Sequence, residues 1–356
     1  MPVDTTHQVT IIGAGVMGSA LTVPLSDNGR RVNLWGTELD GEIIDSIRAG
    51  GVHPVLKAPI PGGVRTFKVC ELAEAVSGSD VILMAISSYA LGKVFARVVP
   101  FIRPGMTVIT VSKGLEPRGD GKIVILPEIL ESLLPTGFRE AVPIVAVGGP
   151  SKAAEVARRS LTPVVYASKR PESAEFCAGL IRNRWYLVQV SDDLAGVELC
   201  AALKNVYAIG LGLCEGFDHG RGTPHKNAKG GLMTYAVLEM ARIVEAMGGD
   251  ARTAFGLAGA GDLELTGEAG RNRVLGEQIG WGVDVVVAVE QMKSEGLTVE
   301  GYPAARNAHT LLAQLESDGR LSPHEAPVLD TLYRVLYEGL EPYRAVRGLL
   351  ERVMAG

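Results

Sequence analysis

The stretch VTIIGAGVMGSAL, Val9–Leu21, decides how the rest of the chain is read. It opens with four β-branched residues, Val9 to Ile12, which suit a buried strand. Gly13-Ala14-Gly15-Val16-Met17-Gly18 follows, and then an apolar segment that favours helix. A Gly-x-Gly-x-x-Gly turn between strand and helix is the fingerprint of a dinucleotide site. Gly13 permits the tight turn, Gly15 lets a pyrophosphate approach the backbone, and Gly18 lets helix pack on strand. The free N–H groups of the helix start then hold the anion. The plainer alternative is a purely structural glycine turn, but RVNLW at Arg31–Trp35 supplies the second strand at the right distance.

Working outward, short apolar runs alternate with helical stretches as far as Gln189. Strands are expected at Val9–Gly13, Arg31–Trp35, Val81–Ile86, Thr107–Val111, Pro143–Val147, Pro163–Ala167 and Trp185–Val190. Helices are expected at Val16–Asn28, Glu42–Ala49, Glu71–Val76, Leu91–Val99, Ile123–Leu133, Lys152–Arg159 and Glu172–Leu180. This alternation predicts an α/β domain over 1–190, with a doubly wound, mainly parallel sheet. After Ser191 the strand signals stop. Leu194–Gly212, Gly231–Met247, Arg271–Ile279, Val283–Lys293, Tyr302–Glu316 and Ala326–Tyr337 all favour helix, so 191–356 reads as an all-α domain. Glu215–Gly231 and Ala258–Gly270, rich in glycine and charge, read as long loops of a functional kind.

Composition agrees with two ordinary cores. The 356 residues are 47% hydrophobic and 21% charged, which excludes a disordered or fibrous chain. With 35 Lys+Arg against 40 Asp+Glu and no run of like charge, there is no footprint for nucleic acid. Cys70, Cys177, Cys200 and Cys214 are widely spaced, which argues against a disulfide framework or zinc site and for a reducing compartment. Met1–Gln8 is short and polar, and no uninterrupted apolar run reaches membrane-spanning length. A cytoplasmic protein without membrane insertion is expected.

Several residues stand where chemistry is expected. An acid past the second strand takes the adenosine ribose, and an Arg there takes a 2′-phosphate. Here Trp35-Gly36-Thr37-Glu38 ends the strand with no Arg or Lys following, so Glu38 leans the reading to NAD and leaves NADP open. Glu38 and Asp40 also fit a solvated helix start. Ligands of open α/β sheets lie beyond strand carboxyl ends, where Lys113 would face a phosphorylated or carbonyl substrate, a solvated strand-end lysine being the bland alternative. Lys204, inside LCAALKNVYAIGLGL, is the most unusual residue. Burial disfavours an ammonium and lowers its pKa, equipping it to exchange a proton near neutrality. A snorkelling lysine is the bland alternative. Asp262 supplies an acid, and Arg271-Asn272 at a helix start fit a phosphate clamp or a simple cap.

With these residues on view, the chain resembles the NAD(P)-dependent sn-glycerol-3-phosphate dehydrogenases over nearly its whole length. The marks, in order, are GAGVMGSAL at Gly13, VNLWG at Val32, VSKGLE at Val111, GGPSKAAEVA at Gly148, ELCAALKNVYAIGLGLCEG at Glu198, NAKGGLM at Asn227, GLAGAGDLELT at Gly256 and GRNR at Gly270. The resemblance implies a Rossmann domain joined to a helical domain, with the active site in the cleft. It implies reversible reduction of dihydroxyacetone phosphate to glycerol 3-phosphate, a phospholipid precursor. By that resemblance Lys204 donates the proton, Asp262 orders it, Asn205 and Lys113 hold substrate, Thr266 is a nearby polar contact, and Arg271 with Asn272 grips the phosphate. Gly13, Gly15, Val16, Met17, Gly18, Trp35, Lys113, Arg271 and Glu300 are the implied dinucleotide contacts, no metal is called for, and a homodimer is the expected assembly.

The chain departs from the family pattern at Ile86-Ser87-Ser88-Tyr89, at Lys152 and at Asn227–Gly231, the last preceded by His219, Arg221, His225 and Lys226. Two alternatives stay open on these residues: a dehydrogenase of another polyol phosphate or hydroxy acid, and a dinucleotide sensor without turnover. A sensor has no need of a proton donor such as Lys204.

Overall fold

The computed structural model describes residues 7–355 and divides into two compact units. The first runs to Lys113 and resumes over Leu126–Leu194, while Gly114–Ile125 and the chain from Ala195 onward form the second.

In the first unit β1 (Gln8–Ile12), β2 (Arg31–Trp35), β3 (Arg65–Phe67), β4 (Val81–Met84), β5 (Thr107–Thr110), β8 (Ile144–Gly148), β9 (Thr162–Ala167) and β10 (Tyr186–Ser191) form one sheet, while β6 (Leu115–Pro117) and β7 (Ile123–Ile125) pair in the second unit. The sheet order is β10-β9-β8-β5-β4-β1-β2-β3, parallel except where β9 runs antiparallel to β8. The order reverses at β1 and β4, the switch point where doubly wound folds bind ligands. Helices α1 (Val16–Asp27), α2 (Gly41–Arg48), α3 (Leu72–Val76), α4 (Ser88–Val98), α5 (Leu126–Leu133), α6 (Ala153–Ala157) and α7 (Pro171–Ile181) make the crossovers. Two apolar clusters, one around Ile11, Leu34 and Leu83 and one around Ile12, Trp35 and Met84, form its core. Neighbouring strand residues thus feed opposite faces, as a sheet covered on both sides requires.

The second unit adds helices α8 (Leu194–Arg221), α9 (Lys226–Ala246), α10 (Asp262–Glu268), α11 (Arg271–Trp281), α12 (Val285–Ser294), α13 (Gly301–Ser317), α14 (Pro327–Tyr337) and α15 (Pro342–Ala355). Its hairpin is clamped by α13, where the Gln314 side chain accepts from Ile123 N at 2.8 Å and Asn307 donates to Leu115 O at 2.7 Å.

Four expectations need correction. Ile123–Leu133 is not one helix: its β-branched Ile-Val-Ile start pairs as β7. The joint Glu215–Gly231 is mostly helix, because α8 runs to Arg221 and α9 begins at Lys226. Ala258–Gly270 is likewise a π-helical turn, Leu257–Gly261, leading into α10. Finally, Leu194–His219 is long and apolar enough by average composition to cross a membrane, Lys204 notwithstanding, but its most apolar window is wholly buried inside the protein.

Candidate active site

The glycine turn has three distinct environments in the structure. Gly13 sits at φ +108°, and its N–H donates to Trp35 O at 2.8 Å, tying the turn to β2. A Cβ on Gly13 would stand 2.5 Å from Ala85 O, and one on Gly18 would stand 2.1 Å from Gly13 O. Neither contact is tolerable. A Cβ on Gly15 would meet nothing within 4 Å, so open space lies over this residue. No side chain caps the start of α1, no acid stands in its first turn, and Val16 is exposed. This is the arrangement a pyrophosphate needs: a closed turn, an open second glycine and uncapped N–H donors. The residues fit a dinucleotide.

Around the turn, His53 Nε2 lies 3.0 Å from Ala14 O, and Asp40 Oδ2 accepts from Ala14 N at 3.3 Å and Thr37 N at 2.8 Å. Asp40 is therefore a buried brace and not a solvated helix start. Glu38 is exposed and pairs with Arg97 at 2.7 Å. Trp35 is fully buried in the apolar core, and its carbonyl ties down the turn. Met17 is half-buried against one core cluster. Lys113 follows β5 by three residues and is half-buried.

In the second unit the structure brings together Lys204, Asn205, Asp262, Thr266, Asn272 and the residue after Glu300. Lys204 is 6% exposed on α8, and its Nζ donates to Oδ1 of Asp262, which is 1% exposed at the start of α10. The buried ammonium is thus not isolated: a carboxylate compensates it, as burial of charge demands. The π turn delivers Asp262, and only glycine fits at Gly259, where a Cβ would lie 2.0 Å from Ala254 O. Thr266 Oγ1 donates to Asp262 O at 2.7 Å. Asn272 Nδ2 donates to Asn205 Oδ1 at 3.0 Å, and its Oδ1 accepts from Gly301 N at 2.9 Å. Arg271 is exposed on the first turn of α11, beside that buried pair.

What holds α8 beside α11 escaped the sequence reading. Gly212 and Gly216 on α8 face Gly276 and Gly280 on α11, and a Cβ on any of the four would come within 2.0–2.3 Å of a carbonyl oxygen of the opposite helix. The helices therefore meet backbone to backbone, as in Gly-x-x-x-Gly crossings. An ion network locks the same crossing: Arg273 donates to Glu215 at 2.5 Å and Glu277 at 2.7 Å, and Lys229 reaches Glu215 at 2.7 Å and Glu268 at 2.9 Å. Burial raises the Glu215 carboxyl, but the hydrogen bonds from Lys229 and Arg273 outweigh it and hold the group below its usual range. One turn past Lys204, Tyr207 donates to Glu239 at 2.9 Å, and Glu239 caps α14 through Val328 N and Leu329 N. Burial pushes the Glu239 carboxyl up to about 8.

The crossing carries an expected result. Gly276→Ala destabilises the protein by about 2–3 kcal/mol, because the new methyl strikes the backbone of Ile209 and the helices must part. Gly230→Ala, at an exposed helical position with open space, stabilises by roughly 0.5–1 kcal/mol. Urea unfolding of both variants checks the contrast; equal effects would remove the tight crossing from the account.

Of the other sequence candidates, Lys152 precedes α6, Lys226 is exposed at the start of α9, His225 faces Asp218 and His219 faces Glu277. A cavity of about 850 Å³ in the second unit, bordered by Arg242, His309, His324 and Arg352, contains none of the candidate site residues.

Comparison with known proteins agrees along nearly the whole chain. Residues 8–174 match the family model of the NAD-dependent glycerol-3-phosphate dehydrogenase N-terminus, and residues 193–347 match that of its C-terminus. An NADP(+)-dependent glycerol-3-phosphate dehydrogenase of Archaeoglobus fulgidus is 40% identical over 94% of this chain and 96% of its own. A glycerol-3-phosphate dehydrogenase [NAD(P)+] of Bacillus velezensis is 33% identical over 97% of this chain and 94% of its own. The crystal structure of the glycerol-3-phosphate dehydrogenase from Coxiella burnetii superposes with a TM-score of 0.81 at 32% identity, covering 98% of this chain and 99% of that one.

Proposed function

Since the chain belongs to the NAD-dependent glycerol-3-phosphate dehydrogenases, we propose that it interconverts dihydroxyacetone phosphate and sn-glycerol 3-phosphate, with Lys204 as the proton donor. The observation that carries this reading is the buried Lys204–Asp262 pair set beside Asn205, Asn272 and Arg271.

A reduced nicotinamide, when bound, would supply the hydride for the carbonyl carbon, and the protein's part is to answer the charge that grows on the oxygen. Lys204 does so with its ammonium, first as a positive charge and then by releasing a proton to the alkoxide. In the reverse direction the neutral amine takes the hydroxyl proton. Asp262 holds the ammonium in place and offsets its charge through the cycle. Asn272 is fixed by Asn205 and Gly301 N, which leaves Arg271 as a cation mounted on an ordered helix start. Arg271 and Asn272 grip the phosphate, with Thr266 a nearby polar contact. Asn205 acts on the carbonyl half.

In the first unit Gly13, Gly15, Val16, Met17 and Gly18 hold the pyrophosphate. On the choice of dinucleotide, Glu38 favours the ribose hydroxyls of NAD, while the Archaeoglobus relative is named for NADP. The product serves phospholipid synthesis, and the active form is a cytoplasmic homodimer.

The test is a panel of ketose phosphates offered with reduced dinucleotide, following loss of its absorbance and identifying the product. Dihydroxyacetone phosphate is expected to react fastest and to yield glycerol 3-phosphate one for one. A longer ketose phosphate reacting faster would transfer the proposal to another polyol phosphate.

A further inference from the structure

At the end of β2 the structure shows something the local sequence does not. Both acids past the strand, Glu38 and Asp40, are candidates for the adenosine ribose, but Asp40 is committed to Thr37 and Ala14. Only Glu38 faces outward, and its carboxylate holds NH1 of Arg97 at 2.7 Å. Arg97 comes from the last turn of α4, far away in sequence, and its guanidinium also lies over the Trp35 ring, 5.2 Å from the centroid. A cation therefore stands at the strand end after all, placed there by the fold.

We infer that Arg97 is a 2′-phosphate anchor kept in balance by Glu38, so that this chain accepts both NAD and NADP. The inference rests on the dinucleotide reading of the first unit. The chemistry is an exchange of partners. With a ribose bearing free hydroxyls, Glu38 accepts their hydrogen bonds and Arg97 neutralises the carboxylate. With a 2′-phosphate, Arg97 turns from the carboxylate to the phosphate oxygens, and Glu38 moves into water. Both side chains are free to do this: they are 38% and 62% exposed, and an ion pair so exposed holds its partners only weakly. A guanidinium suits the phosphate better than a carboxylate does, through its fork of donors and the phosphate's greater charge. Trp35 keeps the guanidinium at the strand end during the exchange, since its buried indole cannot move away.

The test uses ligands that cannot turn over, ADP-ribose and its 2′-phosphorylated form, titrated calorimetrically into the full-length protein. The wild-type protein is expected to bind both within about tenfold of each other. Arg97→Gln weakens the phosphorylated ligand about tenfold, as expected for one charge-assisted contact, and leaves ADP-ribose within about twofold. Glu38→Gln does the reverse, strengthening the phosphorylated ligand several-fold and weakening ADP-ribose. Thermal unfolding confirms that both variants stay folded. An unchanged ratio in Arg97→Gln, with both ligands still binding, overturns the inference and leaves the dinucleotide site intact. If neither ligand binds the wild-type protein, the dinucleotide reading itself fails and takes this inference with it.

Discussion

Lys204→Ala abolishes turnover, lowering kcat by about 10³-fold or more, while reduced dinucleotide still binds with near wild-type affinity. The reason is where the lysine acts. The dinucleotide turn belongs to the first unit, whereas Lys204 matters only when the carbonyl oxygen becomes negative. Its removal therefore subtracts transition-state stabilisation and little binding. A general acid is worth about 10²–10⁴-fold, and loss of a positive charge aimed at an alkoxide adds to that. Lys204→Arg is also expected to be poor. A guanidinium keeps the charge but does not release its proton near neutrality, and its planar fork does not fit a site built around one ammonium and the Asp262 carboxylate. Steady-state kinetics with dinucleotide titration checks both variants. An active Lys204→Arg would make Lys204 an electrostatic anchor only.

Arg271→Ala is expected to raise the KM for dihydroxyacetone phosphate ten- to hundredfold and to leave the slow reaction of unphosphorylated dihydroxyacetone nearly unchanged. One charge-assisted contact to phosphate is worth about 1.5–3 kcal/mol, which is this range. Arg271 is exposed, so its removal leaves no buried group without a partner. Asn272 differs, because it is buried and joins α8, α11 and the start of α13. Comparing kcat/KM on the two substrates decides it; equal losses would show that Arg271 is structural.

Much of the first unit was legible because its signals are local. A β-branched run, three glycines at fixed spacing and an apolar helix start are all read within Val9–Leu21, and β2 is found at the expected residues. What stayed hidden depends on partners distant in the chain. β3 is three residues long with a single buried side chain, Phe67, too little for a period to show. The antiparallel pairing of β9 with β8 is a relation between strands, which composition does not record. In the second unit Lys204 stood out because a lysine in so apolar a segment is costly, and Asp262 because it supplies an acid that the family motif also carries. Gly212-x-x-x-Gly216 and Gly276-x-x-x-Gly280 were visible as spacings, but they acquire meaning only when two helices face each other. Arg97 carried no signal at all, since nothing in its own segment relates it to β2. The local chemistry was thus readable, and the relations between segments were not.

The central claim is that Lys204 delivers the proton to a carbonyl reduced by the bound dinucleotide. It is tested most directly by rapid mixing of dihydroxyacetone phosphate with Lys204→Ala preloaded with reduced dinucleotide, following a single turnover by absorbance. The account predicts at least a thousandfold slower disappearance of the reduced form than in the wild-type protein, at saturating substrate. A single-turnover rate within tenfold of wild type would contradict it.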